Sequence, residues 1–294
     1  MDGGGGGADG DEGGQAAQRL HAGMKPAMRR IVLCIDDYAL RPGVDAAVLE
    51  LAARGLASAT SCLVGSPRWP AAAAALRAAD TSRLDVGLHL DFTEAPFDGS
   101  LRHGLGDFIT RAYLHRLPAQ RLAAEIRAQF DAFEQAMGRA PDHVDGHQHV
   151  HQLPGVRERV LEELARRGHA RCWLRGTAVP AGEAGLKPRL IAALGGPALR
   201  RRARRQGART SGHLLGVYDF GGDAARYRAL LAGWLARAQD GDVLMCHPAR
   251  ADASGSAGDP IASARLTEYG VLAQDLPALL AAAGCTLAPL LRAT

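Results

Sequence analysis

His143-Val144-Asp145-Gly146-His147-Gln148-His149-Val150-His151 places four of the chain's 11 histidines within nine residues, with His or Asp at every second position. A β-strand sends alternate side chains to opposite faces, so in extended conformation residues 143, 145, 147, 149 and 151 share one face. A packed core rarely needs four imidazoles and a carboxylate on one face. A divalent metal does, neutral imidazole being the commonest protein ligand for zinc and its neighbours. Gly146 is expected to end the regular strand, leaving two of the four histidines to reach one ion. The bland alternative is a polar loop, or a strand rim whose histidines bond backbone carbonyls. Clustering this dense favours the metal site.

Outward from this stretch, Ile31-Val32-Leu33-Cys34-Ile35 is a short apolar run, the mark of a strand buried on both faces, and it ends abruptly in Asp36-Asp37-Tyr38. Arg41-Pro42-Gly43 reads as a turn before a helix over 44–53, stopped at Gly55. A second strand fits 57–64, an Ala-rich helix 67–79, and a third strand 84–90, closing on His89-Leu90-Asp91. A long helix is expected over 118–137 with Gly138 as its C-cap, then the histidine strand, a helix over 156–167 and a strand over 172–174. Residues 176–216 are rich in Gly, Pro and Arg and are expected to form an irregular excursion or lid. Pattern returns with a helix over 223–238, a strand over 243–246 ending at His247-Pro248, a polar loop over 251–260, a last helix over 272–283 and a strand over 285–290. Strands alternating with helices, without internal repeats, indicate an α/β fold with parallel strands. About seven such units suit a single distorted (β/α) barrel, TIM-barrel-like, better than an open sheet. Asp36-Asp37, His89, His147 and His247 then all fall at C-terminal strand ends, the rim where β/α barrels build their active sites.

The 294 residues read as a Gly-rich tail over 1–27 and one domain over 28–294. The tail has too little apolar surface to offset its conformational entropy and is expected to be disordered; acidic rather than basic, it does not read as a secretory signal. Hydrophobic content of 47% is ample for a core, and no apolar run reaches the ~20 residues that cross a bilayer. Cys34, Cys62, Cys172, Cys246 and Cys285 are an odd set without a C-x-x-C pair, read as reduced thiols of a cytoplasmic protein. Net charge is +4; residues 1–24 carry −3, leaving +7 for the rest, six of it from Arg200, Arg201, Arg202, Arg204, Arg205 and Arg209. Apart from that run the body is nearly neutral, so general attraction to nucleic acid is not indicated. The run reads as a solvated helix face or lid, with peripheral contact to anionic lipid as the competing role. A homodimer is left open.

A catalytic metal needs about three protein ligands and an open position. Asp36 or Asp37, with His89 and His147, supplies two imidazoles and a carboxylate. The other aspartate is left to take the proton from a bound water whose pKa the metal lowers to about 7. Where the strand ends the chain turns, so both aspartates can face the rim; the competing role for one of them is a helix N-cap. His247 is a candidate general acid, or alternatively orients the tetrahedral intermediate. Arg175, Asp145, His149 and His151 are candidate substrate contacts, the two histidines alternatively orienting other groups. Trp173 and Trp234 read as core. His103, His115, His169 and His213 lie in loop-like or basic surroundings and carry no assignment.

Five stretches, in order, resemble the YdjC-type carbohydrate deacetylases. Ile35-Asp36-Asp37-Tyr38 resembles that family's N-A-D-D-F-G, Ser58-Ala59-Thr60-Ser61-Cys62-Leu63-Val64 its second strand, and Gly87-Leu88-His89-Leu90 with Thr93-Glu94 its G-x-H-x-x-L-T. The histidine stretch resembles H-x-D-S-H-x-H-V-H, and Met245-Cys246-His247-Pro248-Ala249 resembles M-C-H-P-A. The resemblance implies a barrel-like fold and removal of an N-acetyl group from an amino sugar, oligosaccharide or glycolipid. It also implies one divalent metal, magnesium or zinc, on Asp37, His89 and His147, with Asp36 as base and His247 as acid. Tyr38-Ala39 departs from Phe-Gly, and Gly146 from Ser. Neither departure removes a ligand.

Other metal hydrolases could use the same triad. An amidohydrolase would place H-x-H on the first strand, where this chain has Asp-Asp, and a phosphoesterase would usually assemble two metals. A basic protein binding nucleic acid or anionic lipid through the Arg run is the reading from outside the enzymes.

Overall fold

Val32, Cys34 and Asp36 alternate with Ile31, Leu33 and Ile35 along β1 (Arg29–Tyr38), and this strand is the axis of the sheet. The computed structural model describes residues 28–182, 185–252 and 258–291, so the expected tail over 1–27 lies outside them. β1 is followed by α1 (Pro42–Ala53), β2 (Ala59–Cys62), α2 (Trp69–Ala78), β3 (Asp85–Leu90), α3 (Leu105–Tyr113), α4 (Ala119–Met137) and β4 (His143–Gly146). Then come α5 (Val156–Arg167), β5 (Trp173–Leu174), α6 (Leu186–Ala193), α7 (Gly196–Arg205), β6 (Arg209–Thr210) and β7 (Leu214–Leu215). The chain ends with α8 (Ala224–Arg237), β8 (Val243–Cys246), α9 (Ala262–Gln274), α10 (Leu276–Ala283) and β9 (Cys285–Leu287).

The strands are all parallel, in the order β6-β5-β4-β3-β2-β1-β8-β7, with β9 added to the start of β1. Among the described residues no β6–β7 ladder closes the ring, so the expected distorted barrel is a curled, open half-barrel. Ile31, Leu33 and Ile35 pack into the main apolar core with the helices, whereas Val32, Cys34, Ala59, Trp173 and Val243 form a small cluster of their own on the inner face. By the period of two, Ser61, Gly87, His89, His143, Asp145 and Arg175 belong to this inner face as well. It turns from apolar to polar toward the C-terminal rim. Gly87 leaves the space that His143 fills: a Cβ there would lie 2.3 Å from the His143 Nε2.

Several expectations change. The 251–290 segment, read as one helix and a strand, carries two helices; α9 was hidden because Arg265 and Glu268 interrupt the apolar period among its buried positions Ala264, Val271 and Leu272. α3, placed between Gly104 and a short linker, was not expected at all. The 176–216 segment is not irregular: it forms α6 and α7 and supplies β6 and β7 to the sheet. The histidine stretch is extended only over His143–Gly146, then turns through a 3-10 segment over His147–Gln152, with φ of 52° at Gln148 and 62° at His149. A shared face over 143–151 therefore does not form.

Candidate metal centre

One extra residue in β1 sets the site. The β1–β2 register runs Ile35 opposite Thr60 and Tyr38 opposite Cys62, a bulge that accommodates Asp36 and Asp37. Asp37 takes φ of 68° there, in the left-handed region that non-glycine residues seldom adopt. Both aspartates line the cavity above the rim as a result. Ala39 follows at φ of 75°. Its backbone N–H donates to Asp45 Oδ1 at 2.7 Å and its carbonyl accepts from Ser66 Oγ at 2.7 Å, which hold the turn without a glycine.

Asp37, His89 and His147 bring one ligand atom each within 4.8 Å of the others. Asp37 Oδ1 lies 3.5 Å from His89 Nε2 and 3.0 Å from His147 Nδ1. His89 is opposite Asp145 in the β3–β4 register, and its Nδ1 donates to Asp145 Oδ1 at 2.6 Å, which turns Nε2 toward Asp37. Of the four histidines in the cluster, then, only His147 joins this set. Gly146 suits the tight turn before His147: a Cβ there would stand 2.8 Å from the His151 backbone nitrogen.

The charges are balanced by two arginines. Arg175 is fully buried and chelates Asp36 through two bonds of 2.6 Å, while its Nη2 lies 2.5 Å from Asp145 Oδ2. Ser61 Oγ completes this network by donating to Asp145 at 2.6 Å. Arg265 Nη2 donates to Asp37 Oδ2 at 2.7 Å, and its Nε to Asp259 at 2.8 Å. Burial raises the pKa of the Asp36 and Asp37 carboxyls, but the guanidiniums of Arg175 and Arg265 outweigh it and hold both below the usual carboxylate range. Burial lowers the two histidines, yet Asp145 raises His89 to about 9 and Asp37 raises His147 to about 10. Both rings hold protons that a cation would replace. Two imidazoles and a carboxylate oxygen converging at this spacing are the donor chemistry of a single divalent ion, and the residues fit one.

His247, at the end of β8, lines the same cavity with its Nε2 3.9 Å from Asp36 Oδ2. Burial lowers its pKa to about 4, so the ring is neutral at pH 7. Its peptide is held from both sides by α9: Glu268 Oε2 accepts from its N–H at 2.5 Å, and Arg265 Nη1 donates to its carbonyl at 3.3 Å. Tyr218 Oη donates to the other Glu268 oxygen at 2.7 Å. Nδ1 of His247 and Nδ1 of His149, which also lines the cavity, have no hydrogen-bond partner among the described residues. The cavity is about 390 Å³, with the carboxylates and imidazoles at its floor and Leu105, Ile109, Ile191 and Leu194 among its walls.

Three expected substrate contacts are corrected. Arg175, Asp145 and His151 are fully buried and do not line the cavity. Arg175 and Asp145 lie beneath the floor, where they pair with Asp36 and His89, and His151 Nε2 donates to the Arg175 carbonyl at 3.0 Å. Arg265, Glu268 and Tyr218 were not singled out from the sequence. The spacing Arg265-x-x-Glu268 puts both on one helix face, the only local signal they carry.

A family model described as YdjC-like protein matches residues 30–281. The chain belongs to the YdjC-like family. Among curated relatives of this YdjC-like chain, the chitooligosaccharide deacetylase of Enterobacter sp. (strain 638) is 32% identical over 146 residues, covering 48% of this chain and 57% of that protein. The carbohydrate deacetylase of Mus musculus is 32% identical over 152 residues, covering 47% of this chain and 48% of the relative. The matches thus span about half the length of these relatives. A crystal structure from Enterococcus faecalis V583, described as a candidate cellobiose-phosphate cleavage protein, superposes with a TM-score of 0.68 at 22% identity over 90% of this chain and 98% of that one. It is similar in fold. Among the described residues no helix is long and apolar enough to cross a membrane, and all five cysteines are free and buried.

Proposed function

We propose that this YdjC-like chain removes the N-acetyl group from an acetylated amino sugar, acting over a single domain spanning 28–294 in a cytoplasmic setting. One observation carries the reading. The Asp37, His89 and His147 set shares its cavity floor with a second carboxylate, Asp36, and a neutral imidazole, His247. The names of the curated relatives, carbohydrate and chitooligosaccharide deacetylase, supply the substrate class.

Asp37, His89 and His147 would hold one divalent ion, and two imidazoles with a carboxylate favour zinc over magnesium. Such an ion polarises an acyl carbonyl and makes water more acidic. Asp36, ionised and oriented by Arg175, would take the proton from the attacking water. His247 starts neutral, so it would receive the proton that Asp36 takes from the water, across the 3.9 Å between Asp36 Oδ2 and its Nε2, and pass it to the departing sugar nitrogen. The unpartnered His149 Nδ1 offers a hydrogen bond to the sugar.

The test is acetate release from a panel of N-acetylglucosamine compounds after metal reconstitution, with elemental analysis alongside. Acetate from at least one sugar is expected, with one metal per chain lost in Asp37→Ala, His89→Ala or His147→Ala. Cleavage of phosphate esters with no acetate from any N-acetyl sugar would overturn the reading.

A further inference from the structure

α6 and α7 follow each other across Leu194-Gly195, and the side chains they leave in solvent are of two kinds. Leu186 and Leu190, one turn apart on α6, are 72% and 56% exposed, the highest values among the exposed large apolar side chains of the described residues. The same helix sends Ile191 into the wall of the active-site cavity. α7 buries Leu199 and Ala203 and exposes Arg200, Arg201, Arg202, Arg204 and Arg205, with exposed Arg209 just beyond it. Arg202 pairs with Glu158 at 2.9 Å. Among the described residues Arg200, Arg201, Arg204, Arg205 and Arg209 form no ion pair. Arg200, Arg201 and Arg204 also line a cavity of about 380 Å³ that includes Thr177 and Ser211.

A basic helix face alone is commonly no more than solvated. Two bare leucines at i, i+4 on the adjoining helix are a separate matter, because water gives their exposure nothing in return. Together the two features match the surface of an anionic bilayer. Apolar side chains enter the boundary between headgroups and acyl chains, and guanidiniums pair with phosphate oxygens through two parallel bonds. A nucleic-acid duplex would use the arginines but has no place for the leucines.

We propose that α6 and α7 form a peripheral docking face for an anionic lipid bilayer, anchored by Leu186 and Leu190 and held by Arg200, Arg201, Arg204, Arg205 and Arg209. Docking sets the cavity wall at Ile191 beside the headgroups. The inference stands apart from the deacetylase reading, since vesicle binding is measured without turnover.

The experiment is co-sedimentation of the full chain with vesicles of phosphatidylcholine alone and of phosphatidylcholine mixed with phosphatidylglycerol, at physiological salt. The wild type is expected to bind the anionic vesicles and leave the neutral ones. Changing the five unpaired arginines to Gln should weaken that binding by more than about a hundredfold. The pair Leu186→Asp and Leu190→Asp should weaken it by more than about tenfold with the circular dichroism spectrum unchanged. None of these residues lines the active-site cavity, so acetate release from a soluble sugar should stay within about tenfold of wild type in both variants. Absence of binding to anionic vesicles overturns the proposal. So does vesicle binding that survives the leucine changes, or duplex DNA bound as tightly as vesicles and lost only in the arginine variant.

Discussion

Arg265 divides the Asp37 carboxylate: its Nη2 donates to Oδ2 at 2.7 Å, leaving Oδ1 to face His147 at 3.0 Å and His89 at 3.5 Å. The oxygen that would meet a cation is thus fixed by the bond made to the other. Groups that orient a metal ligand typically matter by 10–100-fold in affinity. Arg265→Met should lower metal affinity by about that factor, read by competition with a chromophoric chelator. An unchanged affinity in a folded variant would show that Asp37 needs no such partner.

Arg175 is the larger structural commitment. It is fully buried between Asp36 and Asp145, and its removal leaves Asp36 without its counter-charge and Asp145 with His89 alone. Breaking a buried pair of this kind costs about 3–5 kcal/mol. Arg175→Met should therefore lose about that much stability in urea unfolding, whereas Arg202→Gln, which removes an exposed pair with Glu158, should lose less than about 1 kcal/mol. Equal losses in the two variants would mean that the buried network is not the stabilising unit described.

The rim was legible because its signals are local. An apolar run that stops at Asp36-Asp37, and strands that stop at His89 and His247, locate strand ends from a few residues each. What failed depends on approach between distant segments. The period of two held through Asp145 and broke at Gly146, after which left-handed Gln148 and His149 carry His151 under the floor. Arg175 read as a strand-end side chain free to meet substrate, and only the inner face of the half-barrel shows it closed in by Asp36 and Asp145. Arg265 and Glu268 were invisible because these two charged residues share the buried face of α9 with Ala264, Val271 and Leu272 and so blur its amphipathic pattern.

Glu268 gives a pH test of that buried face. Burial raises its carboxyl from 4.5 to about 7, despite bonds from the His247 N–H and Tyr218. A carboxyl raised on folding binds more protons in the folded state between those values, so stability falls as pH rises through the window and the loss is complete above about 7. The contribution is on the order of 3 kcal/mol. Glu268→Gln cannot ionise and should lack this component. Its unfolding free energy, compared with wild type in urea, should look less favourable at pH 5 than at pH 8. A difference independent of pH would mean that Glu268 is charged in the folded protein throughout.

Asp36 and His247 carry the proton traffic in the proposed reaction, and their environments set its pH dependence. A positioned acid or base contributes typically 10²–10⁴-fold. Asp36→Asn and His247→Ala should each lose kcat by about that factor while metal content and fold persist. Arg175 holds the Asp36 carboxyl below its ordinary range despite burial, and burial lowers His247 to about 4, so both are in their working forms at neutral pH. Protonating His247 removes the group that must accept a proton during the reaction. In the wild type kcat/KM should therefore stay level across neutral pH and fall as pH drops toward about 4, and this limb should vanish in His247→Ala. If His247 instead had to begin protonated, kcat/KM would climb as the pH fell from 7. Such a climb would show that His247 enters the reaction already protonated and would overturn the neutral starting ring.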